Sequence, residues 1–204
     1  MPVNNYEIVK RFLPGQDLGP ENNQLNFLYT ELMDRTKRVG NNGVRIFRTF
    51  FHRDIKDFET HFPEIFKQCE ALGIRAYTRL APRSFKDVAK YNLKQCLESV
   101  LAENWIHSKT SYASACGSVT PIIKRWMFDV DVINDDFLHL HAFLFGEGLL
   151  IAEVPSKRGL HLITPPFDLR RWDPEHDFNS TKLRNGIGIH KDNSVNLYVP
   201  DAAA

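Results

Sequence analysis

The sequence predicts an α+β protein of two lobes with a cleft between them. Three observations carry that prediction. Short runs rich in β-branched and aromatic residues interleave with longer runs of helical periodicity. Those runs read β-α-β-α over residues 44–106, an α/β lobe, and β-α-β-β-α-β over residues 121–200. Between the two, residues 107–120 are small and polar, the composition of a connector. Residues 1–43 read as an N-terminal extension with one helix, and 201–204 as a tail.

Composition narrows the class. The chain has 204 residues, 43% hydrophobic and 25% charged, with a net charge of +1. That is enough to bury a good core, and it gives no global pull towards nucleic acid, so any such site must be a local basic patch. No apolar run approaches the ~18 residues of a membrane span. The start, MPVNNYEIVKRFL, lacks a signal-peptide layout. Cys69, Cys96 and Cys116 are odd in number and far apart. They form no Cys-x-x-Cys motif and fit a reducing cytoplasm.

In the extension, Pro14-Gly15 and Gly19-Pro20 mark turns. Gln24 to Arg38 reads as a helix, capped by Asn23, with Leu25, Leu28, Leu32 and Met33 on its buried side. Gly40 to Gly43 is a break. Val44 to His52 then reads as a strand, and a helix follows within Asp57 to Leu72, with Pro63 in its first turn and Gly73 ending it. Ile74 to Leu80 is the next strand. It puts Arg75, Tyr77 and Arg79 on one face. A basic and aromatic stripe suits a phosphate backbone or a base; the outer face of an edge strand has the same pattern. Ser84 to Glu103 is a helix with a capping-box variant at Ser84 and Asp87. Phe85, Val88, Leu93, Cys96, Leu97, Val100 and Leu101 form its expected buried stripe.

The second lobe holds the chemistry. Arg125 to Val132 is a strand on which Asp129 and Asp131 share a face, about 7 Å apart. Two carboxylates so placed repel unless a cation lies near, and a hard divalent ion, Mg²⁺ or Mn²⁺, is the natural one. Solvated acids at a strand end are the alternative. Asn134 caps a helix carrying Phe137, Leu140 and Leu144. Its His139 and His141 lie about 200° apart and read as structural. Leu149 to Val154 and Leu160 to Thr164 are strands joined by Pro155-Ser-Lys-Arg-Gly159, where Gly159 is expected to supply a left-handed conformation. A short helix at Asp168 to Trp172 and a strand at Asn196 to Val199 complete the split βαβ, or ferredoxin-like, plan. In that plan the first and third strands are central neighbours, so His161 can face Asp129 and Asp131. Gly186 to Lys191 is Gly-rich and ends in a cation suited to phosphate, without the layout of a P-loop.

The FDVD run (Phe128 to Asp131) and the SKRGLH run (Ser156 to His161) resemble motifs I and II of the archaeo-eukaryotic primases and primase-polymerases. The likeness spans Lys124 to Phe167. It implies that Asp129 and Asp131 bind catalytic Mg²⁺ or Mn²⁺. In the family the Ser/His motif contacts the incoming nucleotide's phosphates, which implies that role for Ser156 and His161. On that reading Lys157, Arg158 and Lys191 join them at a nucleoside triphosphate, and the stripe of Arg75, Tyr77 and Arg79 lies along nucleic acid. A replication role would draw on a helicase or other proteins in trans. The whole chain also resembles a group of often phage-borne proteins. The family expects a third acid on a later strand: Asp168 follows motif II too soon, and Asp192 is better placed but follows a lysine. Two other readings stand beside this one. The same plan serves non-catalytic modules that bind RNA or protein, and the same acids serve metal-dependent phosphodiesterases or nucleases.

Overall fold

The computed structural model describes residues 2–13, 26–34, 45–104, 111–174, 187–192 and 194–201. The expected turns at 14–20, the cap at Asn23, the break at 40–43 and tail residues 202–204 lie outside them. In chain order the strands are β1 (Val3–Asn4), β2 (Asn26–Asp34), β3 (Arg45–His52), β4 (Arg75–Ser84), β5 (Trp126–Val130), β6 (Ala152–Pro155), β7 (Leu160–Thr164), β8 (Ile187–His190) and β9 (Ser194–Val199). The helices are α1 (Tyr6–Lys10), α2 (Ile55–Leu72), α3 (Phe85–Leu101), α4 (Ser111–Ser118) and α5 (Asp135–Gly146). The fold is α+β. Its strands form two antiparallel sheets, ordered β1-β9-β4-β2-β3 and β6-β7-β5-β8.

The helices start and stop where local chemistry dictates. Asp54 caps α2 by accepting a bond from the Asp57 N–H at 2.8 Å, and Gly73 ends it at φ 63°. The cap places Pro63 inside α2 rather than in its first turn, so the ring removes one mid-helix donor. Ser84 caps α3 through the Asp87 N–H, and Asn134 caps α5 through the Phe137 N–H.

Residues 26–34 are not a helix. They form β2, which pairs with both β3 and β4, and every residue from Asn26 to Met33 is buried. A strand covered on both faces is apolar on both, so its leucines mimic helical spacing. Phe27, Tyr29 and Thr30 carry the β preference that the leucines hid. Leu28 and Leu32 point into the core under α2, and Phe27 and Tyr29 into a separate cluster with Val88, Ala115 and Cys116. Ala115 and Cys116 belong to α4, a helix where a connector was expected.

The second sheet places β5 and β7 side by side at its centre. On one face Phe128, Val130, Leu162, Ile187 and Ile189 pack with Phe137, Leu140 and Leu144 of α5. On the other, Met127 and Ile163 join the core of the first sheet, with Leu28, Leu32 and Val195. The fourth strand differs from expectation. It is β8, while Asn196 to Val199 lies in β9 and pairs with β4 in the first sheet. Among the described residues, the segment expected as a helix after β7 shows only a 3-10 turn at Leu169–Arg171, capped by Asp168.

Several hydrogen bonds tie the two sheets together. The Arg125 guanidinium donates to the Leu80 carbonyl, and the Ile122 N–H donates to Pro82 at 3.0 Å. Buried Asn5 donates its amide to the carbonyls of Pro155, at 2.8 Å, and Asn196, at 2.7 Å.

A polar chain runs through the first core. His52 Nε2 meets Thr30 Oγ1 at 2.8 Å, and Thr30 meets Thr78 Oγ1 at 2.7 Å. Burial, then the neighbouring His61, lowers the His52 pKa to about 3. The unfolded ring titrates near 6.5, so the unfolded state takes up the proton first as pH falls. The stability carried by neutral His52 is therefore complete above pH ~6.5 and is lost on descending towards pH 3. Urea denaturation at pH 7 and pH 5 should show a loss of up to about 2 kcal/mol that His52→Gln removes. Equal losses in both proteins would count against a neutral His52.

Candidate functional site

One cleft of about 420 Å³ opens between the two sheets. Its walls come from β4 (Arg75, Tyr77), β9 (Ser194, Asn196), β5 (Met127, Asp129), the following Asp131, the turn Ser156 to Arg158, and His161 of β7. Residues far apart in the chain are thus brought to one place.

Register explains why. Asp129 and His161 are direct partners in the β5–β7 ladder, so their side chains share a face. His161 Nε2 lies 3.2 Å from Asp129 Oδ1, with the imidazole 8% and the carboxylate 37% exposed. The nearly buried ring fixes the more open carboxylate in position. His161 Nδ1 and Asn196 Oδ1 are buried, and among the described residues neither has a hydrogen-bond partner. Across the cleft Asn196 pairs with Tyr77, and Ser194 with Arg79, in the β4–β9 ladder. Arg75 Nη1 stands 3.4 Å from the Tyr77 hydroxyl.

The turn is held from inside. The Ser156 N–H donates to the Gly159 carbonyl at 2.9 Å, and the Gly159 N–H donates to Ser156 Oγ at 3.0 Å. Ser156 therefore closes the turn, and Lys157 and Arg158 are its tip. Gly159 is not left-handed: among the described residues, only Gly73 and Gly148 are glycines of positive φ. Close approach is what demands a glycine here. A Cβ on Gly159 would stand 1.9 Å from the Val130 carbonyl oxygen. The turn is pressed onto the end of β5, between Asp129 and Asp131.

Two expected contacts lie elsewhere. Arg79 shares the face of Tyr77 but is not among the residues that line the cleft; it donates to the Asp192 carbonyl at 2.9 Å. Lys191 is carried by β8 to the other face of the second sheet, 5.8 Å from the Trp126 ring. Asp192, the candidate third acid, does not line the cleft. It pairs with Arg83, whose fully buried guanidinium also donates to Cys116 and Ala81 carbonyls at 3.0 Å each. Asp192 is the counter-charge of a buried arginine. Nearby Glu31, opposite Tyr77, has its carboxyl held above the usual range by burial, with Arg79 pulling the other way. Burial also pushes the Cys69 and Cys116 thiols up to about 12, so neither offers a thiolate at neutral pH.

Ser194, Asn196 and Met127 are cleft residues that the sequence reading did not single out. A signal existed for two of them. In Ser194-Val-Asn-Leu the polar residues alternate with apolar ones, which marks a polar strand face.

Metal binding can be judged from the donors. Among the described residues, no three His, Cys, Asp or Glu side chains form a group able to hold a metal ion. The cleft offers two carboxylates on one wall and cations on the turn. Mg²⁺ usually takes one or two carboxylates, keeps several waters and fills its shell with substrate phosphates. This donor set fits an ion that arrives with a phosphate ligand.

Comparison with models of protein families, with curated proteins and with solved structures finds no match to this chain.

Two substitutions test the construction of the site. Gly159→Ala must displace the turn from Val130 and should cost about 1–3 kcal/mol, the usual range for overpacking. Denaturant midpoints check this, and an unchanged midpoint would contradict the close approach. Asp192→Ala strands the buried Arg83 and should cost about 3–5 kcal/mol. A variant as stable as wild type would show that Asp192 is not the required counter-charge.

Proposed function

We propose that the chain is a metal-dependent nucleotidyltransferase of the primase-polymerase kind, acting on nucleic acid with nucleoside triphosphates. One observation carries the reading. A single cleft gathers the two carboxylates and the histidine of FDVD and SKRGLH, faces them with Arg75 and Tyr77, and has a volume suited to a nucleotide.

The chain's residues divide the work by charge. Asp129 and Asp131 would hold Mg²⁺ or Mn²⁺. Lys157 and Arg158, at the tip of the turn, neutralise the triphosphate tail. His161 orients Asp129. Arg75 offers a bidentate donor and Tyr77 an aromatic face to the nucleic acid. When bound, the divalent ion supplies charge stabilisation to the oxygens of the transferring phosphoryl group. In the transfer a nucleic-acid 3′-hydroxyl attacks the α-phosphorus and gives its proton to solvent water; the new phosphodiester bond forms as the bond to the departing pyrophosphate breaks.

Thermal denaturation tests the binding half. Mn²⁺ with a nucleoside triphosphate, at about a hundredfold over its dissociation constant, should add about 2.7 kcal/mol. Mn²⁺ alone should add far less, because two carboxylates make an incomplete shell. The double change Asp129→Asn, Asp131→Asn should abolish the shift. Primer extension tests the chemistry: Asp129→Ala should eliminate metal-dependent incorporation, and incorporation at the wild-type rate would overturn the proposal. Shortening of the primer in place of growth would assign the cleft to phosphodiester hydrolysis. Oligonucleotide binding that ignores both metal and Asp129 would assign it to a binding module.

A further inference from the structure

Of the α3 stripe expected to be buried, Phe85 and Val88 pack inward but the C-terminal part is open. Leu93 is 71% exposed, Leu97 58%, Val100 48% and Leu101 76%, and of the helix only Val88 is fully buried. These four follow the i, i+4, i+7, i+8 spacing of one helix stripe. The inward side of α3 meets α4 and the Phe27 cluster through Phe85, Val88 and Tyr91. The helix therefore has two apolar faces, and the fold uses one. A contiguous apolar patch on a water-soluble surface is a mark of association.

The charges around the stripe specify what covers it. Lys86 and Lys90 continue the line of the stripe towards the N-terminus of α3, so the face is basic at one end and apolar at the other. Lys94 and Glu98 border it on one side, 3.8 Å apart in an exposed pair of little energetic value. We infer that this face is covered by the same face of a second copy of the chain, with the two α3 helices antiparallel and crossing near Leu97. A two-fold axis perpendicular to the helices keeps each flank on its own side. Lys94 then faces the second copy's Glu98, Leu93 faces the second copy's Leu101, and Leu97 faces itself. The Lys86–Lys90 ends project in opposite directions. A parallel pairing would instead bring all the lysines together. One helix pair buries less than a standard interface, so the dimer is weak, with a dissociation constant on the order of 10 µM. This inference does not depend on the proposed activity.

Sedimentation velocity on the full chain, over about 1 to 300 µM, tests it. The mass should rise from 23.6 kDa towards twice that value. Leu97→Glu should hold the protein monomeric at every concentration, with the wild-type melting temperature at about 1 µM, where the wild type is monomeric too and the position is solvent-exposed. Under mild oxidation, Leu97→Cys should cross-link to a covalent dimer far faster than Lys86→Cys, the signature of the antiparallel crossing. A wild type that stays monomeric throughout overturns the inference, as does a Leu97→Glu variant that dimerises like wild type. A monomer that binds anionic lipid vesicles through Lys86 and Lys90 also overturns it, and would make the same face a membrane-surface contact.

Discussion

The cleft depends on one feature of chain routing: the chain leaves the first sheet at the end of β4 and comes back to it beside β4. Everything from α3 to β8 is made in between, including the whole second sheet. The returning strand, β9, inserts between β4 and β1 and aligns Ser194 with Arg79 and Asn196 with Tyr77. The second sheet is thereby held against the first at both of its ends. At its start Arg125 reaches the Leu80 carbonyl, and at its finish Asp192 neutralises Arg83. A cleft wall that must stay fixed relative to the opposite wall is well served by such anchors. Their partners are buried, and breaking one exposes an unsatisfied polar group to a low-dielectric interior.

Within that frame, short-range rules aim the side chains. Cross-strand register puts His161 opposite Asp129, and the two-residue period of the strand adds Asp131 to the same side. The period also decides what does not reach the cleft. Lys191 lies one residue past His190, and one residue of a strand is enough to send it to the other face. The charge of the site is thus concentrated in few groups: two acids on β5 and its end, and cations on one turn and one facing strand. The near-zero net charge of the whole chain is compatible with a local patch of this kind.

Much of this was legible in the sequence, for identifiable reasons. The segment from β5 to β7 is built from neighbours in the chain, so alternation, a capping asparagine and a tight turn describe it locally. The same holds for α3, whose cap at Ser84 is local chemistry; in α2 the sequence reading did not single out the Asp54 cap, so it starts the helix late and puts Pro63 in its first turn. Pairing between distant strands was not legible. Nothing in residues 194–199 says that β4 is their partner, and the sequence order instead suggested the second sheet. Doubly covered β2 lost its alternation because both faces are apolar. The leucines of α3 read as core because periodicity reports which residues share a face, not whether the chain itself covers that face. Gly159 was recognised as a required glycine on the wrong ground: the constraint is the Val130 carbonyl, a contact between segments, not its own backbone angle.

The pairing of β1 with β9 has a mechanical consequence. Val3 lies opposite Val199 and Asn4 opposite Tyr198, so these two strands end at the same edge and run in opposite directions. Tension applied to the two ends would load this pair in the peeling direction, where bonds give way one after another instead of sharing the force. The next residue inward is Asn5, whose amide joins Pro155 to Asn196. Once the β1–β9 pair has parted, the next part to yield under load is therefore the clasp between the two walls of the cleft, before either sheet has lost its core.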